Sequence, residues 1–241
     1  MQRDDAFAAG RISGAPCRFH ALQHGNGDNT GMSSAIAVID FETTGMTPAQ
    51  GARATEVAIV LLEQGRVVDR FQSLMQTGAW VSPFITQLTG ITNEMLRTAP
   101  PAAEVMREAA RFVGDVPMVA HNASFDSKFW QAELALAGQA APHAFACTVL
   151  LSRRIYPQAP SHSLGNLARY LQLPSTGRAH RALADAEMAA ALLARMQQDL
   201  CTRHALPWPD HALLMQLQRC SKARTGSWLA QQAAQVSLAA G

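Results

Sequence analysis

Charge is scarce in this chain. Only 16% of its 241 residues are Asp, Glu, Lys or Arg, and 20 basic residues nearly cancel 18 acidic ones, leaving a formal net charge of +2. That balance excludes a protein that grips a polyanion by bulk charge, so any nucleic-acid contact must come from a local patch. A hydrophobic fraction of 48% excludes wholesale disorder and supplies a core. Cysteine is also sparse. Cys17, Cys147, Cys201 and Cys220 lie far apart with no Cys-x-x-Cys pair, which argues against a zinc ribbon or disulfide scaffold and fits a reducing compartment. No apolar run approaches the roughly 18 residues that a membrane span needs. Arg3, Asp4, Asp5, Arg11 and Arg18 interrupt the first thirty residues, which therefore lack the apolar stretch of a secretory signal. A cytoplasmic protein with no membrane attachment is the expectation.

Residues 1–33 are rich in Gly, Asn, Asp, His and Ser without apolar periodicity, and read as a flexible arm. Met32 is a candidate translational start, which the intact mass of the natively expressed protein would reveal. Ordered pattern begins with the apolar run 35–40, typical of a buried strand. Two more strand-like runs, 55–62 and 67–75, flank the polar turn Glu63-Gln64-Gly65-Arg66 and read as a hairpin. A short helix over 84–88 is stopped by Gly90, and 102–112 has helical apolar spacing. Residues 116–120 form another strand, followed by a helix over 124–137 with Ser124 as its N-cap. Helices over 148–154, 164–171 and 181–196 complete an α/β domain spanning 34–198, a mixed sheet with helices packed on it. Residues 199–241, with a helix over 211–220, form a helical appendage too short for a core of its own.

The informative feature is a set of carboxylates in costly places. Asp40 and Glu42 close the first apolar strand, and their i, i+2 spacing puts both on one face, roughly 6 to 7 Å apart. Two like charges at that separation repel and call for a cation, most simply a hard divalent ion with oxygen ligands. They can equally begin a solvated turn, since Thr43, Thr44 and Gly45 follow. Asp126 falls in the first turn of the helix after the fourth strand, where an acid also meets the helix dipole favourably without any catalytic role. Asp185 lies among Leu183, Ala184, Ala186 and Met188, a poor place for an idle charge. His180 sits at or just before the start of the same helix. Taken together, four acids and a histidine over three strand ends and helix starts make a site for two Mg²⁺ or Mn²⁺ ions, which serve phosphoryl transfer. A histidine titrates near neutrality and can deprotonate the attacking water.

These residues are recognisable as motifs. Asp40-Phe41-Glu42-Thr43-Thr44-Gly45, His121-Asn122-Ala123-Ser124-Phe125-Asp126 and His180-Arg181-Ala182-Leu183-Ala184-Asp185 resemble, in order and spacing, the three exonuclease motifs of the DnaQ-like DEDDh family, which includes the epsilon proofreading subunit of bacterial DNA polymerase III. The likeness covers about residues 34–198. In the tyrosine subclass a Tyr stands four residues before the last Asp; here that position is Arg181, with His180 five before, as in the histidine subclass.

The resemblance implies a ribonuclease H-like fold with a five-stranded mixed sheet, and 3′-to-5′ hydrolysis of single-stranded or frayed DNA ends to nucleoside 5′-monophosphates. Trimming of RNA 3′ ends or oligoribonucleotides is the nearest alternative, and a non-catalytic nucleic-acid-binding module is the alternative of a different class. It further implies that Asp40, Glu42 and Asp185 hold one metal, that Asp40 bridges to a second, that Asp126 holds the second through water, and that His180 is the general base. By the same resemblance Thr43 and Thr44 approach the terminal nucleotide, and the loop Leu88-Thr89-Gly90-Ile91 flanks its base and sugar, although the epsilon subunit typically has His at the position of Thr89. Met46 is placed like the family's apolar wedge, or is core packing. Phe125 is expected in the core, and His121 and Asn122 either bind substrate or satisfy local backbone groups. Lys128, Arg153, Arg154, Arg178 and Arg181 lie near the motifs and are candidates to meet phosphates, and Arg219, Lys222 and Arg224 give the tail a basic cluster. A polymerase docking on the tail, or a sliding clamp binding the peptide 235–240, which lacks the final aromatic of such peptides, are the partner expectations beyond nucleic acid.

Overall fold

The computed structural model describes residues 35–174 and 180–239. The arm expected over 1–33, Met32 and Arg178 lie outside the described residues.

Five strands form one mixed sheet in the order β3-β2-β1-β4-β5. β1 (Ile36–Thr43) is central, antiparallel to β2 (Ala54–Glu63) and parallel to β4 (Met118–Ala120). β3 (Arg66–Leu74) pairs with β2 as the second arm of the hairpin, and β5 (Phe145–Cys147) runs parallel to β4. β1 is buried on both faces, as expected of an unbroken apolar run in a central strand. β3 is mostly exposed and carries Arg66, Asp69 and Arg70, charges that discourage pairing at an open edge.

Alternation in β1 divides the core. Ile36 and Val38 face the long helix α7 (Ala182–His204), while Ala37, Ile39 and Phe41 face α3 (Ala102–Val113) and α4 (Ala123–Leu136). Between β3 and α3 lie two short helices, α1 (Pro83–Thr89) and α2 (Asn93–Arg97), of which the second had no sequence signal strong enough to predict. Gly90 ends α1 in the left-handed region at φ 77°, as its position predicts. Ser124 is not the cap of α4. Asn122, at φ 71°, precedes the first helical residue, and Ser124 lies inside the first turn.

Beyond β5 come α5 (Thr148–Ile155), α6 (Leu164–Tyr170), α7, α8 (His211–Arg219) and α9 (Thr225–Ala239). The helix expected to stop at 196 continues to His204, so the expected boundary at 198 falls inside α7. Polar residues beyond 196 are buried and bonded there: Gln197 Nε2 donates to the Pro209 carbonyl, and Asp199 accepts from the Tyr156 hydroxyl and pairs with Arg195 and Arg203. Leu214, Leu217 and Leu229 from α8 and α9 join the same core cluster as Ile36 and Val38. Among the described residues, no helix is long and apolar enough to cross a membrane.

Candidate active site

The three sequence motifs meet at the end of β1. Asp40 and Glu42 lie on the face that looks toward α7, and the ladder to β2 slips between Glu42 and Thr43, so the chain leaves the sheet immediately after the two acids. Asp126 arrives from the first turn of α4 and is almost wholly buried; its Oδ1 accepts from the Phe41 backbone N–H at 3.3 Å, which ties the second motif to the first. Asp185 arrives from the first turn of α7, and its Oδ2 accepts from the His180 N–H at 2.9 Å. Ligand atoms of Glu42, His180 and Asp185 all lie within 4.8 Å of one another.

The electrostatics follow from this convergence. Burial, followed by repulsion from Asp126, Asp185, Glu42 and Glu56, holds the Asp40 carboxyl well above its ordinary pKa. Burial raises Glu42 to about 7, with Asp185 and Glu56 adding to the rise and Arg181 opposing it. Burial raises Asp126 to about 8, although N–H groups including that of Phe41 favour its charged form. Asp185 is raised by burial and eased by the His180 backbone and ring. A cluster of hard carboxylate oxygens that resist ionising together fits a divalent cation, which would favour their charged forms.

Around this cluster, Thr43 donates its hydroxyl to the Gly45 carbonyl at 2.7 Å, and Thr44 Oγ1 accepts from Arg53 N at 3.0 Å while Thr44 N donates to the Arg53 carbonyl. Met46 is 77% exposed and is not core packing. Thr89 is buried, its hydroxyl donating to the Ile85 carbonyl and accepting from Ile91 N within the turn that ends α1. His121 is bonded through Nδ1 to the Thr148 hydroxyl at 2.8 Å, and burial lowers it to about 4. Asn122 is exposed and borders a cleft of about 330 Å³ that Ser124, Ser127, Arg153 and Gln218 also line. Phe125 packs on Phe129, with ring centroids 4.9 Å apart.

The basic residues divide. Lys128 and Arg153 are exposed, as are Arg219, Lys222 and Arg224. Arg154 is spent on the Cys220 and Leu150 carbonyls. Arg181, expected to meet phosphate, instead grips the fully buried Glu56 through Nε at 3.1 Å and Nη2 at 2.8 Å. Glu56 belongs to none of the three sequence motifs. Nothing local marks it within β2, and its partner stands 125 positions away. Across the β1–β2 ladder it is the direct partner of Glu42, a register that the sheet sets and no sequence motif carries.

Residues 37–193 match the sequence profile of the exonuclease family RNase T. The 3′-5′ exonuclease DinG of Bacillus subtilis is 35% identical over 188 residues, covering 78% of this chain and 19% of DinG. The PolC-type DNA polymerase III of Halalkalibacterium halodurans is 34% identical over 176 residues, covering 73% of this chain and 12% of that protein. The chain therefore spans about a fifth or less of these curated relatives. Among solved structures, exonuclease X in complex with 5′ overhanging duplex DNA superposes with a TM-score of 0.59 at 26% identity, covering 74% of this chain and 98% of that one. The nuclease domain of 3′hExo, a DEDDh family member bound to rAMP, superposes with a TM-score of 0.60 at 24% identity, covering 69% and 93%. With the profile spanning most of the domain and all five signature residues gathered around the end of β1, the chain belongs to the exonuclease family, in its DnaQ-like DEDDh branch.

Proposed function

We propose that this protein is a metal-dependent 3′-to-5′ exonuclease that acts on single-stranded or frayed DNA ends and releases nucleoside 5′-monophosphates. The observation that carries the reading is the gathering of Asp40, Glu42, Asp126 and Asp185 with His180 around the end of one strand, in a cluster whose carboxyl groups are raised by burial and by one another. Asp40, Glu42, Asp126 and Asp185 would hold two Mg²⁺ or Mn²⁺ ions, which supply Lewis-acid stabilisation to the attacking and leaving oxygens. His180 is exposed, so its imidazole reaches solvent and takes the proton of the attacking water. The water oxygen bonds to phosphorus, the bond from phosphorus to the 3′ oxygen breaks, and that oxygen takes a proton from solvent. The products are a nucleoside 5′-monophosphate and a chain one nucleotide shorter.

The preference for DNA is supported by relatives named as DNA polymerases, which also make a polymerase a fitting partner. End-labelled DNA and RNA digested with Mg²⁺, with Mn²⁺ and with chelator test the reading. His180→Ala is expected to lose about 10²- to 10⁴-fold in rate, the usual range for a lost general base, and Asp40→Ala to lose at least as much. Cleavage that persists with chelator and in Asp40→Ala defeats the metal mechanism. Faster cleavage of RNA than of DNA reassigns the substrate.

A further inference from the structure

We propose that Glu56 is a positioning residue for His180 and acts through Arg181. The proposal rests on reading His180 as the general base, and it begins from the backbone. His180 sits at φ 61°, in the left-handed region, which a non-glycine residue occupies at a cost and only when its surroundings over-determine it. Two carboxylates do so. Asp185 Oδ2 takes the N–H of His180 itself at 2.9 Å. Glu56 takes the next two residues: its Oε1 and Oε2 accept the guanidinium of Arg181 at 2.8 and 3.1 Å, and its Oε2 also accepts the N–H of Ala182 at 3.1 Å. That N–H belongs to the first turn of α7, where it has no intrahelical acceptor.

Glu56 is itself fixed. It is fully buried on the strand beside Glu42, and Gln72 Nε2 on β3 donates to its Oε1 at 2.7 Å. It therefore anchors the start of α7 to the interior of the sheet, and the planar fork of Arg181 converts a sheet position into a position for His180. The arrangement also answers an electrostatic conflict. Glu42 and Glu56 stand directly opposite on adjacent strands, a pairing that like charges make unfavourable, and Arg181 lies close enough to both to offset it. Arg181 is thereby withdrawn from the role of a phosphate contact and serves the general base from behind.

The test uses the full chain carrying Glu56→Gln, which keeps the shape and loses the charge, and Arg181→Lys, which keeps the charge and loses the fork. Each is expected to lower kcat by about 10- to 100-fold, the range usual when the support of an active-site group is loosened, with KM and Mn²⁺ affinity close to wild type. In a His180→Ala background neither change lowers kcat further. Independently of activity, the His180 imidazole ¹H–¹³C signal, assigned through His180→Ala, shifts or splits in both variants while the other histidine signals stay in place. Unchanged kcat, or an equal loss in the His180→Ala background, or a His180 signal unmoved in both variants overturns the proposal. Should Glu56→Gln not fold, Arg181→Lys carries the same comparisons. A wild type that cleaves no nucleic acid defeats the exonuclease reading instead, and the His180 signal still reports on positioning.

Discussion

Asp126 shows how far the fold works against its own site. Its pKa of about 8, like that of about 7 for Glu42, means that the folded protein without metal holds protons that the unfolded chain, with ordinary carboxyls near 4, has released. The sign follows: the contribution of these groups to stability is full below pH 4 and is lost as pH rises toward 7 and 8. His121, lowered to about 4 by burial, runs the other way, adding stability as pH rises from 4 to about 6.5. Asp126→Asn isolates the effect of the carboxyl's ionisation, since the amide oxygen still accepts the Phe41 N–H. In chelator the variant is expected to melt higher than wild type, by a margin that grows from pH 5 to pH 8. Each 1 kcal/mol moves the midpoint by roughly 2–4 °C in a chain of this size. Saturating Mg²⁺ raises wild type and shrinks the margin, because a ligand bound only by the folded state stabilises it. Calorimetric scans with and without Mg²⁺ measure this, and an equal margin at both pH values contradicts the assignment.

At the scale of elements, one device occurs twice. Glu56 on β2 holds Arg181 and the N–H of Ala182, and Glu133 on α4 holds Arg53 through two 2.9 Å bonds and the N–H of Ala54 at 3.0 Å. The first clamp sets the histidine. The second sets the start of β2, where the backbone of Arg53, just before the strand, is laced to Thr44. Glu133→Ala leaves a buried N–H and a guanidinium without their acceptor, so a loss of about 3–5 kcal/mol is expected, the range for breaking a buried pair; Glu133→Gln, which retains one oxygen, loses less. Urea unfolding checks both, and an unchanged midpoint for Glu133→Ala contradicts the clamp. Neither glutamate was legible in the sequence. The four acids of the candidate site were, because each lies in a contiguous motif at the end of a strand or the start of a helix. The clamps pair residues 125 and 80 positions apart, and only the folded sheet brings them together. The same distinction explains the elements. Long periodic segments such as β1, α3 and the start of α7 announce themselves, whereas β5 has three residues, α2 five, and the end of α7 is polar because its partners are polar.

For the whole molecule, the consequential element is the C-terminal helical pair, because it finishes the sheet. β5 would present an open parallel edge, and open edges invite pairing with other chains. The side-chain amide of Gln218 on α8 covers it as a further strand would: Oε1 accepts from Cys147 N at 2.7 Å, and Nε2 reaches the Phe145 carbonyl at 3.4 Å. On the same sheet His211 Nε2 lies 2.9 Å from the Met118 carbonyl, while Leu214, Leu217 and Leu229 fill the core beneath α7. At the other edge the aromatic ring of Trp208 leaves no room for a Cβ on Gly65 in the β2–β3 turn. Fully burying one leucine contributes about 1.5–3 kcal/mol, so removing three amounts to a large share of the 5–15 kcal/mol that holds a domain folded. Deletion of residues 205–241 is therefore expected to give a chain that aggregates or unfolds at much lower urea concentration. Gln218→Ala alone should cost about 1–3 kcal/mol for the unsatisfied Cys147 N–H. Unfolding midpoints, together with the sedimentation of each variant, decide it. A truncated chain with the sedimentation and midpoint of wild type would mean that the sheet needs no cover. A truncated chain that sediments as larger species than wild type, beside a Gln218→Ala variant that sediments like wild type but is weakened, would assign edge protection to the helices as bodies and the local bond energy to the amide.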